Sequence, residues 1–86
     1  MEIRRTKSFL KSFTSLNARK QEQVQLAVAR FAEDRTDPAL RNHRLKGKMR
    51  GYHSISAAWD LRVIYKEVGD FLTVILIDVG THNQVY

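Results

Sequence analysis

Hydrophobic residues in the first half of the chain recur at the intervals of two successive helix faces. The two sets are Phe9, Leu10, Phe13 and Leu16, followed by Val24, Ala27, Val28 and Phe31. Thr6 and Asn17 precede the sets and are suitable N-caps, while residues 34–38, which include Pro38, end the second helix. Because the joint between the helices is short, we expect a helical hairpin whose apolar faces pack against each other and against a sheet.

Strand-like patterns occur at the start of the chain and in its second half. They lie around Ile3, at residues 52–56, where a period of two is weak, at residues 61–66, where it is clear, and at the nearly continuously apolar residues 71–79. A turn is expected at residues 68–70. Residues 43–51 are basic, contain two glycines and show no sustained period, which indicates a loop. The predicted fold is α+β with the order β-α-α-β-β-β, a small antiparallel sheet with a helical hairpin packed on one face.

The size and composition of the chain indicate a single domain spanning residues 1–86. Of these 86 residues, 43% are hydrophobic and 28% are charged, as is usual for a folded protein. There is no cysteine, which excludes disulfides, cysteine-based zinc sites and thiol nucleophiles. The N-terminal segment has no secretory apolar region, and residues 71–77 are far fewer than the roughly 20 of a membrane span. We therefore expect a cytoplasmic protein without a membrane partner.

Positive charge is concentrated in the first half of the chain. The net charge is +6, but residues 1–51 carry +8 and residues 52–86 carry −2. The densest part is residues 41–50, with five Lys or Arg and no acidic residue. This distribution predicts a polyanionic partner, either nucleic acid or an acidic protein.

The candidates for chemistry are histidine, arginine and aspartate. His43 opens the basic segment and His82 follows the most hydrophobic strand, although both positions also suit an ordinary surface histidine. Arg62 alternates with the apolar residues 61 and 63, so it points to the opposite side of its strand together with Asp60. That row is typical either of a solvated face with a salt bridge or of a fixed cation for phosphate.

Aromatic residues and short motifs narrow the possibilities further. Tyr52 and Tyr86 are suitable for stacking on unpaired RNA bases, whereas Trp59 and Tyr65 are more easily explained as structural residues. The sequence contains no Walker loop and no GxGxxG, HExxH, EF-hand or GxSxG motif. No nucleotide cofactor or metal is therefore implied.

Three segments in a fixed order resemble a known family. They are residues 43–52, residues 59–65 and residues 79–86, with the sequences HRLKGKMRGY, WDLRVIY and VGTHNQVY. Together they resemble the RelE/ParE toxin superfamily and especially its YafQ-like branch, and the predicted order of elements fits the rest of the chain. The resemblance implies the toxin of a type II toxin–antitoxin pair. Such a toxin is an endoribonuclease that cuts mRNA on the ribosome without a cofactor and is inhibited by a cognate antitoxin.

The resemblance also implies roles for individual residues. The catalytic set is His43, Asp60, Arg62, His82 and Tyr86, and contacts to RNA are expected from Arg44, Lys46, Lys48, Arg50 and Tyr52. Arg62 matches an arginine of RelE-like members at a position that is often apolar in the YafQ-like branch. The chain departs from that branch at Ser56, where the branch has another catalytic histidine. His53 is no simple substitute, because a shift of three residues along a strand places it on the opposite face.

Cleavage of RNA without a metal needs a base for the 2′-OH, cations for the phosphate and an acid for the leaving 5′ oxygen. The expected roles are base for Asp60 or His43, acid for His82, phosphate binding for Arg62 with Arg50 or Lys48, and base stacking for Tyr86. These roles require the middle segment, the strand of Arg62 and the C-terminal segment to meet in one positively charged pocket. Two other functions stay open at this point: ParE-like binding to DNA gyrase, and a nucleic-acid-binding module that does not cut.

Overall fold

In the computed structural model, which describes residues 1–69 and 73–86, two helices cover one face of a sheet. They are α1 (Lys7–Thr14) and α2 (Ala18–Glu33). The side chains of Thr6 and Asn17 each accept a hydrogen bond from the backbone N–H three residues further on, at 3.1 and 2.8 Å. Both expected N-caps and both expected helices are therefore confirmed.

A five-stranded sheet forms the second layer. Its strands are β1 (Glu2–Arg5), β2 (His43–Arg44), β3 (His53–Ala58), β4 (Leu61–Val68) and β5 (Thr73–Gly80). They lie in the order β1-β5-β4-β3-β2, and all neighbours are antiparallel except β1, which runs parallel to β5. The sheet is therefore mixed and not wholly antiparallel as predicted. A strand of four residues carries no signal for the direction of its partner, and the long connection through the helices makes the parallel pairing possible.

The basic segment is more ordered than the loop that we predicted for residues 43–51. Strand β2 begins at its first residue and pairs with β3, and a 3₁₀ turn spans Gly47–Met49. Leu45 donates a backbone hydrogen bond of 3.0 Å to the carbonyl of Tyr52, which closes the segment. Two strand residues are too few to show a period of two, so sequence periodicity could not find β2.

The second half of the chain shows one further difference from the prediction. Helix α3 (His82–Val85) follows β5, although no helix was expected there. Gly69 has a φ of 65°, which fits the predicted turn. The remainder of that turn and the start of the last predicted strand fall on residues 70–72, which lie outside the described residues.

The core lies between the helices and the helix-facing side of the sheet. Its buried members are Phe9, Val24, Ala27, Val28, Phe31, Leu40, Ile55, Leu61, Val63, Tyr65, Val74, Leu76 and Val79. The structural interpretation of Tyr65 is confirmed, but Trp59 is 95% exposed because it occupies the turn between β3 and β4, outside both layers. Leu10 of the first apolar set also stays 45% exposed. Within the described ranges, no helix is long and apolar enough to cross a membrane.

Candidate active site

The sheet face that is turned away from the helices carries a row of side chains from three strands. The register pairs His43 of β2 with Ser54 of β3, and Ser54 with Ile64 of β4. Directly paired residues project to the same face. Ser54 precedes the core residue Ile55, so this row lies on the face that is turned away from α1 and α2. We call this side of the sheet the free face. Ser54 and Ile64 are both completely buried, and the exposed side chain of His43 stands at the edge of the row.

His43 is held by the backbone at one ring nitrogen. Its Nδ1 lies 2.8 Å from the carbonyl oxygen of Arg41. A carbonyl oxygen only accepts hydrogen bonds, so Nδ1 carries the proton and donates this bond. In the neutral ring, Nε2 then has a lone pair that can accept a proton.

Tyr86 connects the C-terminal helix to the same row. The Tyr86 and Ser54 hydroxyl oxygens lie 2.5 Å apart, with Tyr86 as the donor. The Tyr86 ring also meets the His82 ring edge to face, with 4.3 Å between the ring centroids. One aromatic side chain therefore contacts both the imidazole of α3 and the serine that pairs with His43.

Helix α3 has a defined position although it is only four residues long. Thr81 and Gln84 form a capping box, in which each side chain accepts a hydrogen bond from the backbone N–H of the other, at 3.3 and 2.9 Å. A Cβ at Gly80 would come within 2.7 Å of the Gln84 Oε1. The absence of a side chain at Gly80 therefore lets the helix pack closely against the end of β5.

Asp60 binds the start of α3 from the turn between β3 and β4. Its Oδ1 accepts a hydrogen bond of 3.1 Å from the backbone N–H of His82. Asp60 has a φ of 55°, a left-handed conformation that Asp and Asn tolerate better than most residues. The carboxylate therefore fixes the backbone that carries the imidazole of His82.

Arg62 lies on the free face between Ser56 of β3 and Gly80 of β5, as the alternation predicts. Its Nη1 donates hydrogen bonds to the Ser56 hydroxyl at 3.3 Å and to the Ala58 carbonyl at 3.1 Å. These bonds hold the guanidinium against the β3–β4 hairpin and do not use its Nε and Nη2 donors. Gly80, which pairs with Arg62 between β4 and β5, comes only two residues before His82 in the chain.

The structure thus brings the five predicted catalytic residues to the free face or its margin. They are His43 on β2, Asp60 in the hairpin turn, Arg62 on β4, and His82 and Tyr86 at α3. Ser56 lies among them as the cross-strand partner of Arg62. His53 lies on the other face, as predicted, because its register partner is the core residue Tyr65.

The basic segment does not join this face as one group. Arg44 pairs with His53, so it projects to the helix-facing side of the sheet. Four of the five predicted RNA contacts line an open cavity of about 510 Å³ at this edge, namely Arg44, Lys46, Arg50 and Tyr52. Lys48 lies exposed in the 3₁₀ turn. The single pocket that we expected is therefore divided between the two sides of the edge strand.

His53, which lines this cavity, lies flat against Tyr65. The ring centroids are 4.9 Å apart and the planes differ by 14°. Burial, together with the positive charges of Arg44 and Arg35, lowers the pKa of His53 below its usual 6.5. Burial also raises the pKa of Tyr65, whose hydroxyl donates a hydrogen bond of 2.7 Å to Asn42. Both rings are therefore uncharged at neutral pH.

Two residues that organise the site were missed by the sequence analysis. Ser54 is a buried polar residue on the predicted strand, but nothing in the sequence distinguishes its environment from that of Ser56. Gln84 did have a signal, because Thr81 followed three residues later by Gln is the pattern of a capping box.

The same family emerges from comparison with known proteins. The family model described as "Bacterial toxin of type II toxin-antitoxin system, YafQ" matches residues 1–86. The chain belongs to this YafQ toxin family. The predicted resemblance is thereby confirmed. No individual curated protein sequence is significantly similar to the chain.

Solved structures of YafQ and related toxins share the fold of this YafQ-family chain. YafQ from E. coli strain BL21(DE3) is 17% identical with a TM-score of 0.82, and the match covers 99% of this chain and 97% of that one. A YoeB/ParE toxin from Agrobacterium tumefaciens is 21% identical with a TM-score of 0.79, covering 95% and 99%. A chain of the E. coli DinJ–YafQ toxin–antitoxin complex is 18% identical with a TM-score of 0.78, covering 99% and 96%. These similarities confirm the small α+β fold.

Proposed function

We propose that this YafQ-family toxin is an endoribonuclease that cleaves mRNA on the ribosome, by metal-independent attack of a 2′-OH on the adjacent phosphate. The observation that carries the proposal is the hydrogen bond from Tyr86 to Ser54, because Ser54 is also the cross-strand partner of His43. Because the Tyr86 ring also contacts the His82 ring, this bond connects the imidazole of His82 to the sheet face on which His43 lies. Two imidazoles can supply the base and the acid that such a reaction needs. This substrate requires a cytoplasmic location.

His43 acts as the base in this mechanism. Since its Nδ1 donates to the backbone, its Nε2 accepts the proton of the 2′-OH. The 2′ oxygen then forms a bond to phosphorus, and the bond from phosphorus to the 5′ oxygen breaks. Asp60, the other candidate for the base, is better suited to positioning because its carboxylate bonds the backbone of His82.

His82 and Arg62 complete the reaction. A protonated His82 donates its proton to the departing 5′ oxygen, which leaves a 2′,3′-cyclic phosphate and a 5′-hydroxyl as products. Arg62 stabilises the negative charge that develops on the phosphate oxygens through the donors that its hairpin contacts do not use. Tyr86 stacks on a base beside the cleaved bond and keeps the phosphodiester in line.

Cleavage of mRNA in a ribosome-containing extract tests the mechanism. The wild-type protein should yield fragments with 5′-hydroxyl and cyclic phosphate ends. His43→Ala and His82→Ala should each slow cleavage by about 100- to 10,000-fold with an unchanged circular dichroism spectrum. Arg19→Ala, which removes an exposed cation of α2, is the matched control and should cleave normally.

Three results would contradict the proposal. Undiminished cleavage by His82→Ala would exclude this residue as the acid. DNA breaks in the presence of gyrase, with intact mRNA, would identify a ParE-like gyrase-binding toxin. Binding of RNA by the wild-type protein without any cleavage would identify a non-cutting RNA-binding module.

We also propose that a cognate antitoxin binds the groove between β1 and the two long helices. This groove has a volume of about 330 Å³, and its apolar lining includes Phe9, Leu10 and Phe13. Arg5 lines it as well, and the chain as a whole carries a net charge of +6. An acidic amphipathic segment therefore fits both its surface and its charge. The E. coli DinJ–YafQ structure, in which one chain has the same fold as this protein, is a toxin–antitoxin complex.

A further inference from the structure

A second concave region lies on the other side of the edge strand β2 from the proposed cleavage site. It consists of two adjoining open cavities of about 630 and 510 Å³, and Arg44, His53 and Glu67 line both of them. Each volume falls within the range of about 300–1,000 Å³ that is typical of small-ligand sites. His43 lines the first cavity, so the region begins where the free face ends.

Two stacked aromatic side chains, His53 and Tyr65, line this region. The His53 ring lies flat on the Tyr65 ring at 4.9 Å. Tyr65 is held in turn by the hydrogen bond to Asn42 and by the Phe31 ring, which packs against it edge-on with 4.9 Å between centroids. Because its pKa is lowered, His53 presents a neutral ring, which is suited to stacking.

The walls of the region are positively charged. Arg44, Lys46 and Arg50 line the second cavity. Glu67, the acidic residue that lines both cavities, forms an ion pair with Arg35, which offsets its negative charge. Cations along a groove that contains a flat ring are the combination that proteins use to bind single-stranded nucleic acid. An acidic peptide would use the cations but not the ring surface, so the observations favour RNA.

We infer that this region binds a nucleotide of the RNA strand outside the cleaved phosphodiester, with its base on the His53 ring and its phosphate on Arg44. The inference rests on the proposed ribonuclease function. His43 and Arg44 are consecutive residues, so their Cα atoms are only about 3.8 Å apart. Their side chains nevertheless project to opposite faces of the sheet. An RNA strand that leaves His43 therefore has to pass around only one strand, the edge strand β2, to reach Arg44. Lys46 and Arg50 then contact the phosphates that follow.

Binding of a single-stranded RNA in which every ribose is 2′-O-methylated tests the inference, because this RNA cannot be cleaved. His53→Ala should weaken binding by about 5- to 150-fold without changing its salt dependence, and His53→Phe should restore binding because it restores a stacking ring. Arg44→Ala should weaken binding and lower the slope of log affinity against log salt concentration by about 0.7. Arg19→Ala, which removes a charge from α2, should leave the slope unchanged.

Each alternative outcome has a definite meaning. Unchanged affinity in His53→Ala overturns the inference, whether or not Arg44→Ala binds more weakly, because the ring would then make no contact with RNA. Competition by a polyglutamate peptide that depends on Arg44 but not on His53 would identify a site for an acidic protein. Cleavage of mRNA by the wild-type protein is measured separately in ribosome-containing extract. If the wild-type protein does not cleave mRNA, the proposed function is refuted. If it cleaves normally but its RNA binding does not depend on His53, only this inference is refuted.

Discussion

The hydroxyl of Tyr86 donates a hydrogen bond of 2.5 Å to the hydroxyl of Ser54, 32 residues earlier in the chain. This distance is at the short end of the range for O–H···O bonds. Ser54 has no exposed surface, whereas Tyr86 is 41% exposed. The bond joins the C-terminal helix to the middle of the sheet, and it is the connection on which the proposed arrangement of the two imidazoles depends.

Removal of either hydroxyl should therefore reduce cleavage, but the two changes should differ in stability. Tyr86→Phe leaves the buried Ser54 hydroxyl without its partner and should lower the free energy of unfolding by about 1–3 kcal/mol. Ser54→Ala should cost less, because the partly exposed Tyr86 hydroxyl can bind water. Urea denaturation and cleavage assays on both variants and on the double variant measure these effects. Additive losses in the double variant would show that the two hydroxyls act independently.

Variants at Asp60 distinguish positioning from base catalysis. Asp60→Asn keeps an oxygen acceptor for the His82 N–H and tolerates the left-handed backbone, so it should cleave mRNA at close to the wild-type rate. Asp60→Gly also tolerates this backbone but removes the acceptor, and it should cleave about tenfold more slowly. If Asp60 were the base, both variants would lose about 100- to 10,000-fold in rate.

The stability of the protein should decrease in mildly acidic solution because of His53. Burial and the charges of Arg44 and Arg35 hold its pKa below 6.5 in the folded state, so the folded chain binds this proton less readily than the unfolded chain. The resulting contribution to the free energy of unfolding is present above pH 6.5 and is lost as the pH falls towards the folded pKa. Urea denaturation of wild type and His53→Phe at about pH 8 and about pH 5 measures it.

His53→Phe cannot take up the proton and should show a smaller loss of stability between these two pH values. His82→Ala, which removes an exposed imidazole, is the control and should retain the fall seen in the wild-type protein. An identical fall in wild type and His53→Phe would show that other groups cause it.

Two exposed leucines allow a matched test of the antitoxin groove. Leu10 is 45% exposed and lines the groove, whereas Leu26 is 57% exposed on α2 and does not line it. Leu10→Glu should weaken antitoxin binding at least about tenfold, because it places a charge in an apolar contact and repels an acidic partner. Leu26→Glu should bind normally. Isothermal titration with the protein encoded by the neighbouring reading frame provides the measurement, and equal affinities would exclude the groove.

Sequence analysis was most successful where the signal was local. Thr6 and Asn17 cap the predicted helices because capping needs only a side-chain oxygen and a backbone N–H three residues further on. The placement of Arg62 on the free face followed from alternation along one strand. The conclusion that His53 cannot replace the histidine expected at Ser56, because it lies on the opposite face, followed from the same rule and is confirmed by its pairing with Tyr65.

The sequence by itself therefore determined the two helices, the antiparallel strands β3 to β5, and the faces on which Arg62 and His53 lie. The tertiary structure alone decided the parallel pairing of β1, the two-residue strand β2, the capping of α3 by Asp60, and the bond between Tyr86 and Ser54. The physical reason is range: periodicity and capping act within about one or two turns of chain. Strand partners and contacts between distant residues depend on how the whole chain packs, and no local pattern records them.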